Sequence, residues 1–341
     1  MTPHKKGPSS PAVSAIIAAR NAQETIEASL LSLLNQSHPP DEILVVTNGC
    51  TDSTIPLVEN LSKHHPSIRR LDSPGEQGVS GALKRACQEA RFPLLARMDA
   101  DDLAHPCRLA HQLETLLSNH ADLVTCSVKP RNSLGPGLDR YIQWTNSLRT
   151  PADFLRERFI ESPVIQPGVL MTKHAYQAAG GYRVETGPED YDLWLRMLAL
   201  NQRFFQSPQA QLQWTDSPNR LTRTHDDYSE SNIAATKARH LAQLPQIKTH
   251  GITIAGSGPQ GRRLARLLLS FQITIHAFFD VDPKKIGRTH RNIPILGPHD
   301  FGSAHRQAIL LGTVGHNGRH RVRTLANQSG YLEGLNYFAT C

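Results

Sequence analysis

The sequence predicts an α/β protein in which a parallel sheet, covered by helices on both faces, is followed by a smaller α/β domain. Three observations predict this fold class. Short apolar runs alternate with stretches of helical periodicity from Val13 onward, the connections between them are short, and the same alternation starts afresh at Gly251. Such alternation is typical of parallel sheets packed between helices. A chain of 341 residues is long enough for two domains.

Each element of the first part follows from its pattern. Apolar runs of about four to eight residues indicate buried strands, and apolar residues three and four positions apart indicate one face of a helix. The predicted strands are Val13–Ala19, Glu42–Val46, Ile68–Leu71, Phe92–Ala96 and Leu123–Val128. The predicted helices are Glu24–Gln36, Ile55–His64, Val79–Arg91, Leu103–Leu117, Glu189–Leu200 and Ser231–Leu244. The stretch Lys129–Thr150 is rich in Pro, Gly, Asn and Arg, and is predicted to be a loop or an insertion.

The second part opens with strand Ile252–Ala255, a glycine-rich turn and helix Arg262–Ser270. Strand Ile273–Phe279 follows and ends in Asp280. We therefore expect a flexible tail over residues 1–11, a first domain over 12–245 and a second domain over 250–341.

The composition describes an ordinary globular chain, with 39% hydrophobic and 20% charged residues. No apolar run approaches the ~20 residues of a membrane helix, and the N-terminal stretch lacks the apolar core of a signal peptide. The five cysteines are scattered and form no CxxC pair. This pattern argues against a zinc site and a disulfide framework, and predicts a cytoplasmic protein.

The chain is basic, with a net charge of +7 and a pI of about 9.3. Its Lys and Arg residues are dispersed, and no basic block is interleaved with aromatic residues. We therefore expect a solvated basic surface and no nucleic-acid partner. A weak peripheral attraction to anionic membrane remains open.

Three acids form the most informative cluster of the sequence. Asp99, Asp101 and Asp102 follow directly after the strand predicted at Phe92–Ala96. Ligands of open α/β sheets bind at the carboxyl ends of strands, and clustered carboxylates repel one another unless a cation or proton lies between them. The acids therefore indicate a metal–diphosphate site. Taken alone, they equally indicate the start of the helix predicted from Leu103.

Six segments of the chain resemble, in order, those of family 2 inverting glycosyltransferases with the GT-A fold, above all bacterial members that build surface polysaccharides. These segments are Val13–Asn21, Glu42–Thr54, Gly78–Asp102, Gln166–Tyr182, Pro188–Arg196 and Leu221–Ser229. The resemblance implies a mixed GT-A sheet with helices on both faces. It also implies a nucleotide-sugar donor and a glycan or lipid-linked saccharide acceptor.

The resemblance assigns roles to the acids. Asp99 and Asp101 match the family's DxD motif, which binds the donor ribose–diphosphate and a divalent ion. It therefore implies Mn²⁺ or Mg²⁺ on Asp101 and the donor ribose near Asp99, which leaves Asp102 to cap the helix. Asp190 matches the general base that takes the proton of the acceptor hydroxyl in a single in-line displacement. A purely structural acid at a helix start is the alternative for Asp190.

The same resemblance extends to a late RxH element. Arg223 matches the residue that approaches the donor phosphates, and His225 matches the one that approaches the metal or the diphosphate. A neutral imidazole suits Mn²⁺ better than Mg²⁺. The alternative for His225 is a solvated loop histidine, one of 17 in the chain.

Further donor-binding residues follow from the first loops. Arg20 and Asn21 match the family's nucleobase-binding loop, and Arg97 and Lys84 complete the predicted donor-binding set. Asn48 stands where the family usually has an aspartate that binds uracil, so guanosine and thymidine donors stay open beside uridine. Two other departures are Lys84 for an asparagine and Gln166 for a histidine. An exposed helix lysine is the other interpretation of Lys84.

The second part carries a separate motif. Gly256, Gly258 and Gly261 lie between a strand and a helix, with the spacing of a dinucleotide-binding turn. Asp280 ends the next strand 19 positions later, where an acid binds a ribose hydroxyl in such domains. The following residues resemble the second-strand exit of Rossmann-like domains that accompany sugar-modifying enzymes. An unidentified nucleotide is therefore expected here, beside two alternatives: a degenerate domain used for interaction or regulation, and a second catalytic unit.

The leading prediction is a metal-dependent inverting glycosyltransferase. Two alternatives remain. The first is a nucleotide-sugar-binding or regulatory protein that kept the fold and lost turnover. The second is an NAD(P)-dependent sugar-nucleotide oxidoreductase that works through the glycines of the second domain.

Overall fold

A computed structural model describes residues 11–73, 78–131, 135–216, 220–301, 303–305 and 307–341. Most of the predicted N-terminal tail lies outside these residues. The chain divides into two compact units. The first consists of Met1–Phe154 and Val164–Arg220, and the second of Leu155–Pro163 and Leu221–Cys341.

The first unit is built on eight strands. They are β1 Val13–Ala19, β2 Glu42–Asn48, β3 Ile68–Ser73, β4 Leu94–Arg97, β5 Leu103–Ala104, β6 Leu123–Pro130, β7 Val169–Thr172 and β8 Phe204–Trp214. The helices up to this point of the chain are α1 Ile26–Leu34, α2 Thr54–His64, α3 Gly78–Glu89, α4 Arg108–Ser118, α5 Pro136–Ser147, α6 Pro151–Glu157, α7 Lys173–Ala178 and α8 Glu189–Ala199.

These strands form one mixed sheet in the order β3-β2-β1-β4-β7-β6-β8-β5. From β3 to β4 neighbouring strands are parallel, as the alternation of strands and helices predicts. Strand β7 then runs antiparallel to both β4 and β6, and β5 runs antiparallel to β8. The switch in direction makes the sheet mixed.

The core lies on both faces of this sheet because successive residues of its strands point to opposite sides. Ile17 and Val45 pack with helix residues such as Leu30 on one face. Ile16 and Leu44 pack on the other face, with residues such as Trp194. Each fully buried side chain of this size stabilises the fold by about 1.5–3 kcal/mol. The continuous apolar runs of β1 and β2 are thus those of strands covered on both sides.

Two predictions for the first unit are wrong. The helix predicted from Leu103 begins at Arg108, because Leu103 and Ala104 pair with Gln213 and Leu212 of β8 as strand β5. Asp102 therefore does not cap that helix. The stretch Lys129–Thr150, predicted to be a loop or an insertion, contains helix α5, whose Ile142 and Thr145 are buried, so the loop alternative is wrong.

The second unit contains a six-stranded sheet. Its elements are α9 Leu221–Thr224, α10 Glu230–Gln243, α11 Pro245–His250, β9 Ile252–Ala255, α12 Pro259–Ser270, β10 Ile275–Phe279, β11 Thr289–His290, β12 Ile293–Leu296, β13 Ile309–Gly312, α13 His316–Gln328 and β14 Tyr337–Ala339. The strand order is β11-β12-β10-β9-β13-β14, with every neighbouring pair parallel except β11 and β12.

The second unit starts earlier than the predicted boundary near residues 245–250. Helix α10 packs against α12 and so belongs with the second sheet. Residues 155–163 also join this unit, because the Phe159 ring meets Phe338 edge-on at 5.7 Å and Lys237 donates hydrogen bonds to the carbonyls of Ile160 and Thr340. In neither unit do the described residues include a helix with the length and apolarity needed to cross a bilayer.

Candidate active site

The three acids lie together just beyond the carboxyl end of β4. One carboxylate oxygen from each of Asp99, Asp101 and Asp102 can be chosen so that all three lie within 4.8 Å of one another. Arg97, the last residue of β4, is buried, and its Nη2 donates to Asp99 Oδ1 at 2.5 Å. The end of a central strand therefore fixes both the backbone and one carboxylate of this acid cluster.

Asp102 is fully buried and faces the cluster. Its Oδ1 accepts a hydrogen bond from the Thr215 backbone N–H at 2.8 Å, and Thr215 Oγ1 donates to the Asp101 carbonyl at 2.6 Å. Its Oδ2 has no hydrogen-bond partner among the described residues. A buried carboxylate oxygen without a donor is costly unless a proton or a cation satisfies it.

The electrostatics of the cluster favour a cation. Burial and the neighbouring Asp99 raise the pKa of Asp101 to about 6, and burial with both neighbouring acids raises the pKa of Asp102 well above its usual range. Each carboxylate therefore opposes the ionisation of the next. Hard oxygen ligands of this kind suit Mg²⁺ or Mn²⁺, whose charge would reverse that opposition.

Asp190 lies in the first turn of α8, which starts after Gly187 and Pro188. Gly187 has a φ of +115°, a region that favours glycine. Asp190 is half-buried, and its Oδ1 accepts a hydrogen bond from the Tyr191 backbone N–H at 2.7 Å. Burial and then the charge of Glu189 raise the pKa of Asp190 to about 7. A carboxylate tuned to this range is suited to take a proton near neutral pH.

A glutamine connects the two groups of acids. Gln166 Oε1 accepts from Arg97 Nη2 at 3.4 Å, and Gln166 Nε2 donates to Glu189 Oε1 at 3.3 Å. Through Arg97 the same chain of contacts reaches Asp99. The structure therefore joins the predicted metal-binding loop, through Asp99, to Glu189, the residue next to the predicted base Asp190.

Arg220 is a residue that the sequence reasoning missed. Its guanidinium lies over the Trp214 ring, 3.7 Å from the centroid. Its positive charge lowers the pKa of Asp101, Asp102 and Asp190 against the stronger effects that raise them. Arg220 is thus a cation common to both groups of acids. In the sequence, the only indication of a role for Arg220 is its position three residues before Arg223 of the RxH element, and no motif spacing selects it.

The predicted nucleobase residues lie at the ends of β1 and β2. Asn21 is exposed with a φ of +50°, and its Oδ1 accepts from the Thr51 backbone N–H at 2.8 Å, which ties the two loops together. Asn48 is buried, and its Oδ1 finds no hydrogen-bond partner among the described residues. Arg20 is exposed beside Asn21. Lys84 is exposed on α3, and its donor-binding role stays a prediction.

Arg223 and His225 belong to the second unit. Both are exposed and line an open depression of about 400 Å³ together with Thr222, Thr224, Asp226, Tyr228 and Ser229. His225 Nδ1 lies 3.2 Å from Asp227 Oδ2, which leaves Nε2 as the nitrogen for a ligand. Their roles at the metal and the phosphates stay predictions.

The glycine-rich turn of the second unit joins β9 to α12. Gly256 has a φ of +112°, and a Cβ on Gly261 would lie 1.9 Å from the Gly256 carbonyl oxygen, so both positions need glycine to build the turn. A Cβ on Gly258 would enter open space. Asp280 already accepts hydrogen bonds from the Ser257 backbone N–H at 3.1 Å and from Lys285 Nζ at 3.1 Å. Against the opposing effect of burial, hydrogen bonds from the Ser257 hydroxyl and then the Asp282 N–H, with smaller contributions from Lys285 and the Ser257 N–H, lower the pKa of Asp280 to about 2.

The chain is similar to known glycosyltransferases in both sequence and structure. Residues 14–180 match the family model described as Glycosyl transferase family 2. The chain is 25% identical over 243 residues to the putative glycosyltransferase EpsE of Bacillus subtilis, covering 70% of this chain and 85% of that protein. It is 25% identical over 174 residues to the UDP-Gal:alpha-D-GlcNAc-diphosphoundecaprenol beta-1,3-galactosyltransferase of Escherichia coli, covering 51% of this chain and 62% of that protein.

Two solved structures share the fold. TarS 1–349 of S. aureus in complex with UDP-GlcNAc superposes with a TM-score of 0.57 at 17% identity, over 76% of this chain and 71% of that chain. The mannosyltransferase PcManGT from Pyrobaculum calidifontis, in complex with GDP-Man and Mn²⁺, superposes with a TM-score of 0.50 at 21% identity, over 69% of this chain and 63% of that chain. The GT-A fold class expected from the sequence is therefore confirmed.

Proposed function

Through residues 14–180 this chain is a family 2 glycosyltransferase, and we propose that it transfers a sugar from a nucleoside diphosphate donor to a hydroxyl group by metal-dependent, inverting displacement. The observation that carries this proposal is the polar network of the first unit. In it, Gln166 and Arg97 link Glu189, the residue next to the half-buried Asp190, to Asp99 in a loop of three clustered acids.

Asp190 is proposed as the general base. Its pKa of about 7 lets it exist as a carboxylate at neutral pH while remaining basic enough to take the acceptor proton. The oxygen that loses this proton attacks the anomeric carbon from the face opposite the leaving diphosphate. One bond to carbon forms as the other breaks, so the configuration inverts and no covalent intermediate with the enzyme arises.

Asp101 is proposed to hold the divalent ion, Mn²⁺ or Mg²⁺, with Asp102 Oδ2 as a further oxygen ligand and Asp99 toward the donor ribose. When bound, such an ion acts as a Lewis acid that neutralises charge on the leaving diphosphate. Arg220 adds a positive charge that acts on both groups of acids. Arg97 is buried behind Asp99, so we propose that it acts on the donor by orienting that carboxylate.

The nucleobase is proposed to lie at the ends of β1 and β2, near Arg20 and Asn21. Asn48 supports this placement because its buried amide oxygen lacks a partner that a base N–H would supply. UDP-GlcNAc and GDP-Man in the complexes of the two similar structures support the donor class, with a UDP-sugar as our first choice. We further propose Lys84, Arg223 and His225 as supporting residues of the donor site.

The acceptor is proposed to be a glycan or a lipid-linked saccharide in the synthesis of a surface polysaccharide. The diphosphoundecaprenol acceptor in the name of the E. coli relative supports this class. The proposed location is the cytoplasm, with peripheral attachment to the inner face of the membrane.

A panel of UDP-, GDP- and dTDP-sugars tested with and without Mn²⁺ examines the proposal. We expect one donor class to bind and be slowly hydrolysed with Mn²⁺, and both signals to be lost in Asp101→Asn. Asp122→Asn is the matched control, because Asp122 is a half-buried acid outside the cluster whose Oδ2 accepts from the Arg203 backbone N–H at 2.7 Å. Equal turnover by wild type and Asp101→Asn, or turnover that is indifferent to chelation of metal, would refute the metal-dependent mechanism.

A second activity is proposed for the second unit. The open space beside Gly258 supports binding of a phosphate-bearing nucleotide at the start of α12, with Gly256 and Gly261 shaping the turn. Asp280 Oδ2 already accepts from Ser257 and Lys285, so the phosphate contact is the stronger part of this proposal. A thermal shift of the whole chain with NAD, retained in Asp101→Asn and lost in Gly258→Val, is the expected result. No shift with NAD, UDP-sugars or S-adenosylmethionine beyond that of the donor site would overturn it.

A further inference from the structure

Gln166 occupies a position between two charged groups of opposite sign. On one side lies the buried guanidinium of Arg97, whose Nη2 is 3.4 Å from Gln166 Oε1. On the other side lies the carboxylate of Glu189, whose Oε1 is 3.3 Å from Gln166 Nε2. The same Nε2 also lies 3.3 Å from the Tyr182 hydroxyl oxygen.

The chemistry of the two neighbours sets the orientation of the amide. Arg97 has only donors, so it must face the amide oxygen, and the Glu189 carboxylate has only acceptors, so it must face the amide nitrogen. An acid at position 166 would repel Glu189, and a lysine would repel Arg97. An amide or a neutral imidazole can accept from one side and donate to the other without carrying a charge.

The contacts of Gln166 affect the positions of both Asp99 and Asp190. Arg97 is held by its bond to Asp99 Oδ1, and Glu189 is the residue next to Asp190 in the first turn of α8. A change in the Gln166 contacts therefore moves the donor-side acid and the base relative to each other. Misplacement of about 1 Å at a reacting centre can cost roughly 100-fold in rate.

We infer that Gln166 is a positioning residue, which holds the Glu189–Asp190 pair at a fixed distance from the Asp99 loop so that base and donor align. This inference rests on the proposed function. Gln166 itself touches neither donor nor acceptor in this role. It acts through Arg97 on one side and Glu189 on the other.

Three variants test the inference. Gln166→Met keeps the length of the side chain and removes its hydrogen bonds to Arg97, Glu189 and Tyr182. We expect kcat to fall by roughly 10- to 100-fold with the donor Kd changed less than about twofold. Gln166→His retains one donor and one acceptor, and we expect it to recover most of kcat. Gln202→Met is the matched control, because Gln202 is a half-buried glutamine whose Nε2 donates to the Ala175 carbonyl at 3.0 Å. Wild-type kcat in Gln166→Met, or a histidine variant as impaired as the methionine variant, would overturn the inference.

A crystal structure of the variant tests the positioning role without depending on the proposed glycosyltransferase activity. In crystals of Gln166→Met we expect the Glu189 side chain to leave its position beside residue 166, whereas Gln202→Met leaves it in place. This comparison needs no turnover, so it stands even if every donor in the panel fails. Unchanged positions of Glu189 and Asp99 in Gln166→Met would refute the positioning role, whereas failure of all donors would refute the proposed function.

Discussion

Replacement of Asp190 by asparagine separates the catalytic role of this side chain from its cost to the fold. Asparagine keeps the shape and the acceptor for the Tyr191 N–H, but it carries no ionisable group. As a general base, Asp190 should contribute about 10²–10⁴-fold to kcat. We therefore expect Asp190→Asn to lose at least 100-fold in kcat while the donor Kd stays within about twofold.

The same substitution should stabilise the protein. A carboxyl group with a raised pKa in the native state binds its proton more tightly there, so its ionisation weakens the fold as pH rises. The pKa of Asp190 is about 7 against an ordinary value of 3.8, and at about 1.36 kcal/mol per unit the difference is worth at most about 4 kcal/mol. Asp190→Asn should be more stable than wild type above pH 7, and the difference should vanish below about pH 4.

Urea unfolding of both proteins between pH 4 and 8 measures this difference, and the pH dependence of kcat measures the base. For wild type we expect kcat to rise with pH through about 7, since the base must be deprotonated. Asp192→Asn is the matched control, for which we expect the opposite change in stability. It removes an ion pair to Arg196 at 2.9 Å, so it should destabilise the protein and leave kcat near that of wild type. An Asp190→Asn protein with near-normal kcat, or one less stable than wild type at pH 8, would refute the reasoning.

Two further predictions concern Arg220 and Asn48. Arg220→Ala removes a cation that lowers the pKa of Asp190, so the rise of kcat with pH should move to higher pH. Arg220→Lys keeps the charge and should retain most of the wild-type pH profile. Coinciding pH profiles of kcat for wild type, Arg220→Ala and Arg220→Lys would contradict this prediction. Asn48→Leu removes the buried amide that we assign to the nucleobase. It should weaken binding of the nucleoside diphosphate by roughly 10-fold without changing binding of Mn²⁺, measured by calorimetry, and unchanged nucleotide affinity would contradict the assignment.

Sequence patterns predicted well those elements whose apolar residues form a contiguous run or a regular period along the chain. Strands β1, β2 and β4 are short apolar runs between helices, and the structure places them in the parallel part of the first sheet. Strand β5 was missed because its two residues, Leu103 and Ala104, are strand only through pairing with β8 about a hundred positions later. No window along the chain contains that information. The helical periodicity after it is real, and it was merely extended too far toward the N-terminus.

In the candidate site too, residues in contiguous motifs could be predicted, whereas contacts between distant positions could not. The acids at 99, 101 and 190 could be selected because they match motifs that are contiguous in sequence. The contacts that join them could not, since Gln166 reaches Arg97 and Glu189 across 69 and 23 positions of the chain. Arg220 was missed for the same reason, because its place over Trp214 depends on how the chain returns after β8. In the sequence, Gln166 stands out only as a departure from the family pattern, because its contacts with Arg97 and Glu189 form only in the folded chain.

Asp102 gives the sharpest test of whether the acid cluster is built for a cation. Its buried Oδ2 has no partner among the described residues, and its neighbours Asp99 and Asp101 add like charge that outweighs the effects of the Thr215 N–H and Arg220. A cation there should stabilise the native state by about 2.7 kcal/mol when its concentration is 100 times its Kd. We therefore expect Mn²⁺ to raise the Tm of wild type and of Asp122→Asn, and to have little effect on Asp102→Asn. Asp102→Asn should itself unfold at a higher temperature than wild type without metal, because it removes a buried charge that neighbouring acids oppose. An equal Mn²⁺-induced shift in wild type and Asp102→Asn would mean that this carboxylate only accepts the Thr215 hydrogen bond, and that the metal, if one binds, is held by Asp99 and Asp101 without it.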